Sequence, residues 1–179
     1  RDITLKNDDV IIKSVDTSED NTCQEKISKL ELDSHANMPV VGGTARIISK
    51  SGETVDVNAY SPEYEPRQVP LVDAALQYDS PYDGSTHILI IRNALYVPSM
   101  TNHLIPPFIM REAGFIVNDV PRIHCNPVTN ERHCIVSQDR SLRIPSQLHG
   151  VFSYFDTFRP DDDHTQSAEA HEHYTMTPT

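Results

Sequence analysis

From Lys29 onward the chain alternates short apolar runs with turn residues, whereas the stretch before it is polar and acidic. In that leading stretch only Val10-Ile11-Ile12 has a strand-like texture, and residues 16–28 read as linker. Leu30-Glu31-Leu32 alternates apolar and charged positions and runs into Asp33, as a half-buried strand does. Val40-Val41 is followed by a Gly42-Gly43 turn. Residues 45–49 and 54–59 flank Lys50-Ser51-Gly52-Glu53, which predicts a hairpin turning at 50–53. Residues 61–70 carry three Pro and read as a loop, or as an edge segment that cannot pair regularly. Residues 72–78 predict a strand, and residues 79–85, with a Pro and an Asp-Gly pair, predict a turn. The strongest strand signal spans residues 87–92 and continues through 94–97.

Residues 107–113 are the one helical segment: Pro106-Pro107 suits a first turn, and Gly114 suits the position just past the end. Residues 115–117, 122–125, 134–137, 142–144 and 151–155 follow as short strands, with a turn at 126–130. The last nineteen residues, 161–179, hold five acidic groups and no Lys or Arg, so they read as a solvated tail. There is no internal repeat. The pattern predicts a mostly β domain over residues 29–159 with one short helix. Polar extensions flank it: a linker or arm at 1–28 and an acidic tail at 160–179.

Composition narrows this picture. A chain of 179 residues suits one domain with tails. Its 37% hydrophobic content is lean for a core yet too rich for a wholly disordered chain. Thirteen Pro against six Gly, with no Trp, fits many short extended segments. A net charge of −11 argues against nucleic-acid partners, which need surplus Lys and Arg to displace counterions, and against anionic membranes. The longest apolar stretch, at residues 88–91, is far short of a membrane span. The chain opens on Arg with no signal-peptide pattern and reads as a fragment or processed product. It carries no Asn-x-Ser/Thr acceptor, which fits an intracellular origin.

The most informative stretch is Leu30-Glu31-Leu32-Asp33-Ser34-His35-Ala36. A strand delivers an Asp that is followed at once by a small hydroxyl residue, an arrangement that aspartic proteases use. Two such carboxylates held close together cannot both ionise, so they share one proton. The ionised member activates a water while the protonated one polarises the peptide carbonyl. The hydroxyl after the Asp can hold the carboxylate by a hydrogen bond. An exposed Asp-Ser at a strand end is also an ordinary turn. Asp79-Ser80-Pro81 reads as one, and Asp16-Thr17-Ser18 sits in polar linker.

Further segments follow in order: Asn93-Ala94-Leu95-Tyr96-Val97-Pro98, then Asn102-His103-Leu104-Ile105-Pro106, then Glu112-Ala113-Gly114-Phe115. With Asp33-Ser34 and the closing Leu148-His149-Gly150-Val151-Phe152-Ser153-Tyr154, this series resembles the protease domain of Ty1/copia-type retrotransposon polyproteins over roughly residues 30–155. The resemblance implies a retropepsin-like (acid protease) closed β-barrel and aspartic endopeptidase activity on polypeptide substrates, with no cofactor or metal. Asp33 would be the catalytic aspartate and Ser34 its hydroxyl neighbour. Leu104-Ile105 would form the strand crossing behind the active-site loop, and residues 51–70 would lie where a substrate-covering hairpin is expected. One Asp-Ser site per chain implies a homodimer that pairs two copies of Asp33. A polyprotein origin favours the cytoplasm. One departure stands out: His35 occupies the place where the family has Gly, which lets the two loops approach across the dimer axis.

Other groupings leave alternatives open. His124-Cys125 and His133-Cys134 could bind zinc, pair as a disulfide, or be two half-buried thiols, although adjacent residues on a strand face opposite ways. Tyr60, Tyr64, Tyr78 and Tyr82 would line a peptide groove or pack along an edge strand. His164, His171 and His173 sit in the acidic tail, where a solvated role outweighs weak metal binding, and Asp161-Asp162-Asp163 lacks calcium-loop spacing. A non-catalytic assembly subunit on the same fold is the competing function, and Val10-Ile11-Ile12 is the natural candidate for a strand donated to a neighbour.

Overall fold

The computed structural model describes residues 27–57, 67–127, 129, 131–161 and 172–179. The candidate donated strand at 10–12, Asp16-Thr17-Ser18, Cys23, Tyr60, Tyr64, His164 and His171 lie outside them. The described protein is mostly β. β1 (Ser28–Leu32) buries Ser28, Leu30 and Leu32 and turns Lys29 and Glu31 outward, the period-two pattern its sequence predicts. The strands that follow are β2 (Val40–Gly42), β3 (Arg46–Val57), β4 (Arg67–Asp79), β5 (Thr86–Val97) and β6 (His103–Ile105). Helix α1 (Pro107–Glu112) comes next. β7 (Ile116–Asn118), β8 (Cys134–Val136), β9 (Arg143–Pro145), β10 (Gln147–His149), β11 (Phe152–Thr157) and β12 (Glu172–Thr175) complete the chain.

One sheet runs in the order β10-β11-β1-β6-β2-β5-β4-β3, with β12 on β5, and β7-β8-β9 form a second. An isolated bridge joins Gln77 on β4 to Phe158, just after β11. β1 lies between antiparallel β11 and parallel β6, with Leu32 opposite Ile105. Leu30, Ile91, Ile105, Met110, Ile144 and Phe155 belong to the shared core. Helix α1 starts after an extended Pro106 and ends where Gly114 takes φ +95°, a conformation costly for other residues. Gly42 and Gly43 serve close packing: a Cβ on either would collide with the carbonyl of Met100 or Pro98.

Four expectations need correction. The loop or irregular edge expected over 61–70 is strand from Arg67 on, where 67–70 pair in unbroken register with 54–57 despite Pro70. No hairpin turns at 50–53. β3 continues through that stretch and pairs with β4, slipping register between Lys50 and Thr54. Gly52 there has φ +80°, and the Ser51 hydroxyl donates to Leu71 O and accepts from Glu53 N, so the turn residues make a bulge. The ladder continues to the Val57–Arg67 pair, and residues 58–66 lie outside the described residues. Residues 122–124 form a single 3-10 turn rather than a strand. Lastly, residues 172–179 are no solvated tail: β12 pairs in parallel with β5, and Met176 is fully buried in the core.

Candidate functional site

Asp33 follows β1 directly and is held from two sides. Its backbone N–H donates to Ile105 O of β6 (3.1 Å), and its Oδ1 accepts from the His35 N–H (2.9 Å). The second bond closes an Asx turn, in which the carboxylate caps its own loop. Asp33 is only 6% exposed. Ser34 and His35 on the same turn are exposed. Ser34 was expected to hold the carboxylate through its hydroxyl; among the described residues the His35 amide takes that role instead. His35 is also absent from the residues with positive φ, so this turn makes no demand for glycine there.

The platform behind the turn is tied by polar groups that the sequence does not advertise. Asn102 accepts from Lys29 N (3.1 Å) and donates to Glu31 Oε1 (3.3 Å), fixing β6 against β1. Fully buried His103 accepts the Gly42 N–H at Nδ1 (3.0 Å). Burial pushes its pKa down to about 4, so the ring is neutral at pH 7. With Nδ1 an acceptor, Nε2 carries the proton and faces the hydroxyls of Ser28 and Thr44, both at 3.1 Å. The Ser28 hydroxyl also meets Thr157 Oγ1 (2.9 Å), which joins β11 to the same knot. An apolar site for an imidazole would have been costly, so each ring nitrogen has a partner. The only sequence signal for it is a His at the first position of a short apolar strand.

The other groupings do not assemble. Cys125 and Cys134 are free, buried thiols facing backbone carbonyls, Pro121 O at 3.4 Å and Glu131 O at 3.0 Å. Burial is the largest influence on the Cys134 thiol and raises its pKa. His133 turns to the Ser153 hydroxyl (2.7 Å), and among the described residues no three His, Cys, Asp or Glu side chains come together as metal ligands. Tyr78 is buried against Phe155 at 5.7 Å between ring centroids, whereas Tyr82 is exposed, so these two share no groove. His173 is exposed on β12. Asp79-Ser80 is a turn, as expected, with Ser80 N bonded to Ser85 O.

A polar cleft of about 680 Å³ lies elsewhere, between the β4–β5 turn, the β8–β9 turn and β12. Asp83, Ser85, His87, Ser141, Arg143 and Glu172 are among its lining residues. The Ser85 hydroxyl donates to Asp83 (2.6 Å) and faces His87 Nε2 (2.9 Å), while His87 Nδ1 has no partner. Because the Ser85 proton goes to the carboxylate, this is not a base-activated nucleophile. No described helix is long and apolar enough to cross a membrane. Set against protein-family models, curated proteins and solved structures, the chain matches none, so the case for a function rests on the geometry of the Asp33 turn.

Proposed function

We propose that the chain is an aspartic endopeptidase of the retrotransposon, retropepsin-like type, working as a homodimer. One observation carries the reading: a buried carboxylate at the end of β1, gripped by the loop that follows and backed by the parallel strand β6. In the dimer two Asp33 side chains would share a proton across the two-fold axis. The ionised carboxylate takes a proton from water as the water oxygen bonds to the substrate carbonyl carbon, and the protonated partner gives its proton to the carbonyl oxygen. Collapse of that tetrahedral adduct breaks the C–N bond, with a proton returned to the leaving nitrogen. The long β3–β4 ladder supports a role as the substrate-covering hairpin, and the Gln77–Phe158 bridge supports a sheet rolled toward a barrel.

A second reading, a non-catalytic assembly subunit, draws on the exposed Ser34 hydroxyl and the His35 side chain at the place of the family's Gly. Asp33→Asn separates the two. For a peptidase, the near-isosteric amide abolishes pepstatin-sensitive peptide cleavage at acidic pH and leaves the dimer intact by light scattering. Unchanged cleavage in that variant sinks the assignment.

A further inference from the structure

The polar cleft between the β4–β5 turn, the β8–β9 turn and β12 directs its hydroxyl protons into the protein's own carboxylates. The Ser85 hydroxyl donates to Asp83 (2.6 Å), Thr86 to Asp79 (2.8 Å) and Ser141 to Asp139 (2.7 Å). Ser80 is a further hydrogen-bond partner of Asp83. Such bonds, with Ser85 foremost, hold Asp83 below the usual carboxylate range. Those to Asp139, with Ser137 foremost, bring it down to about 2. Both carboxylates are ionised at pH 7.

What remains is a surplus of acceptors. With its hydroxyl proton committed, Ser85 can only accept from His87, so Nε2 carries the imidazole proton and Nδ1 is a bare lone pair. His87 lines the cleft and is only 9% exposed, and its Nδ1 has no partner. A second surplus lies at β12. The Tyr174 hydroxyl donates to Glu172, yet it also stands 2.8 Å from Ser141 Oγ, whose own proton goes to Asp139. Those two oxygens meet with no proton between them.

Among the described residues that line the cleft, Arg143 is the one Lys or Arg, and its guanidinium reaches Glu131 (3.8 Å). Against it stand the carboxylates of Asp83 and Glu172, with Asp79 and Asp139 one hydrogen bond behind. A metal ion does not fit this arrangement. Among the described residues no three His, Cys, Asp or Glu side chains converge, and the acceptors are spread around about 680 Å³. That spread suits an organic cation whose N–H donors lie several bonds apart. Leu142 and exposed Tyr82 line the same cleft, where an alkyl stem would pack. The chain's own approach to β12 cannot supply the charge, since residues 160–171 hold no Lys or Arg.

We propose that this cleft binds a small organic cation, a protonated amine on a flexible alkyl chain, as carried by a free polyamine or a lysine side chain. A donor placed at Glu172 frees the Tyr174 proton to turn to Ser141, and a second N–H supplies the partner that His87 Nδ1 lacks. The site does not depend on the peptidase reading, since Asp33 takes no part in it.

The test titrates the full chain at pH 7 and low ionic strength with spermidine and, separately, with N-acetyl-lysine methylamide. NMR follows the His87 ring nitrogens and the Ser85 and Glu172 amides. The expected result is a saturable shift of His87 Nδ1. Saturation by spermidine alone assigns a free polyamine, and saturation by the lysine derivative assigns a side chain. Glu172→Gln should weaken that binding at least about tenfold, the scale of one hydrogen bond to a charged group. Glu53→Gln, at an exposed carboxylate on β3, should leave it within about twofold. If Glu172→Gln releases β12, Asp83→Asn decides in its place, because its amide oxygen can still accept the Ser85 N–H. No saturable His87 shift with either probe overturns the proposal. So does an equal loss in the Glu53 and Glu172 variants, the mark of diffuse attraction to the net charge of −11.

Discussion

Asp33-Ser34 and Asp79-Ser80 both stand at the end of a strand, yet they are mirror images in burial. At the first, the carboxylate is buried and the hydroxyl exposed; at the second, the carboxylate is exposed and the hydroxyl buried. Asp79 accepts from the Thr86 hydroxyl (2.8 Å) and the Gln77 amide (3.1 Å), side-chain bonds that pin a surface turn. Asp33 is gripped by backbone, through His35 N–H on its carboxylate and Ile105 O on its amide. Chemistry at a carboxylate needs a fixed position and limited solvent, and only the Asp33 turn provides both. The dipeptide is the same; the neighbouring strand β6 makes the difference.

The largest expected effect sharpens this contrast. Asp33→Asn should lower peptide cleavage by about 10²–10⁴-fold or more, the scale of a general acid–base group, whereas Asp79→Asn should leave turnover unchanged. Equal losses in the two variants would erase the distinction between the sites.

The next effect concerns the platform under Asp33. His103 has its pKa lowered to about 4 by burial, so the folded state binds fewer protons than the unfolded chain below the ordinary value of 6.5. Its contribution to stability is therefore complete above pH 6.5 and is lost as the pH falls toward 4, by up to about 3 kcal/mol. Urea midpoints measured from pH 7 to pH 4 should fall accordingly, and His103→Gln should flatten the decline. No change in slope would mean that the ring does not set it. Any acid activity at Asp33 then works against the stability of its own support.

Smaller effects separate the two hydroxyls. Ser80→Ala removes a buried acceptor of the Tyr82 N–H (3.3 Å) and should cost about 1 kcal/mol. Ser34→Ala, at an exposed hydroxyl, should stay within about 0.5 kcal/mol of wild type. Thermal or urea unfolding checks both, and the reverse order would contradict the burial contrast.

Much of this architecture is legible in the residues, and the failures have physical causes. β1 and β5 announce themselves by alternation and β-branched content, and α1 by Pro107 and Gly114 at its ends. Lys50-Ser51-Gly52-Glu53 misleads because a bulge and a hairpin use the same turn chemistry, and only the partner strand tells them apart. β12 is hidden because Tyr174 is its one apolar residue, set among charged and polar ones, and Met176 follows just after it; a strand added to an existing core needs few apolar residues of its own. At the site, the position of Asp33 is readable, whereas the grip by His35 N–H is backbone geometry that no side-chain pattern encodes. His103 likewise becomes meaningful only when β2 and β11 arrive beside it.

The most direct test of the shared carboxylate pair is a mixing experiment: peptide cleavage measured at fixed total chain while Asp33→Asn chains replace wild-type chains after co-refolding. If each active site takes one Asp33 from each of two copies, activity falls as the square of the wild-type fraction. A linear fall, or no cleavage by the wild-type dimer at any acidic pH, would contradict the account.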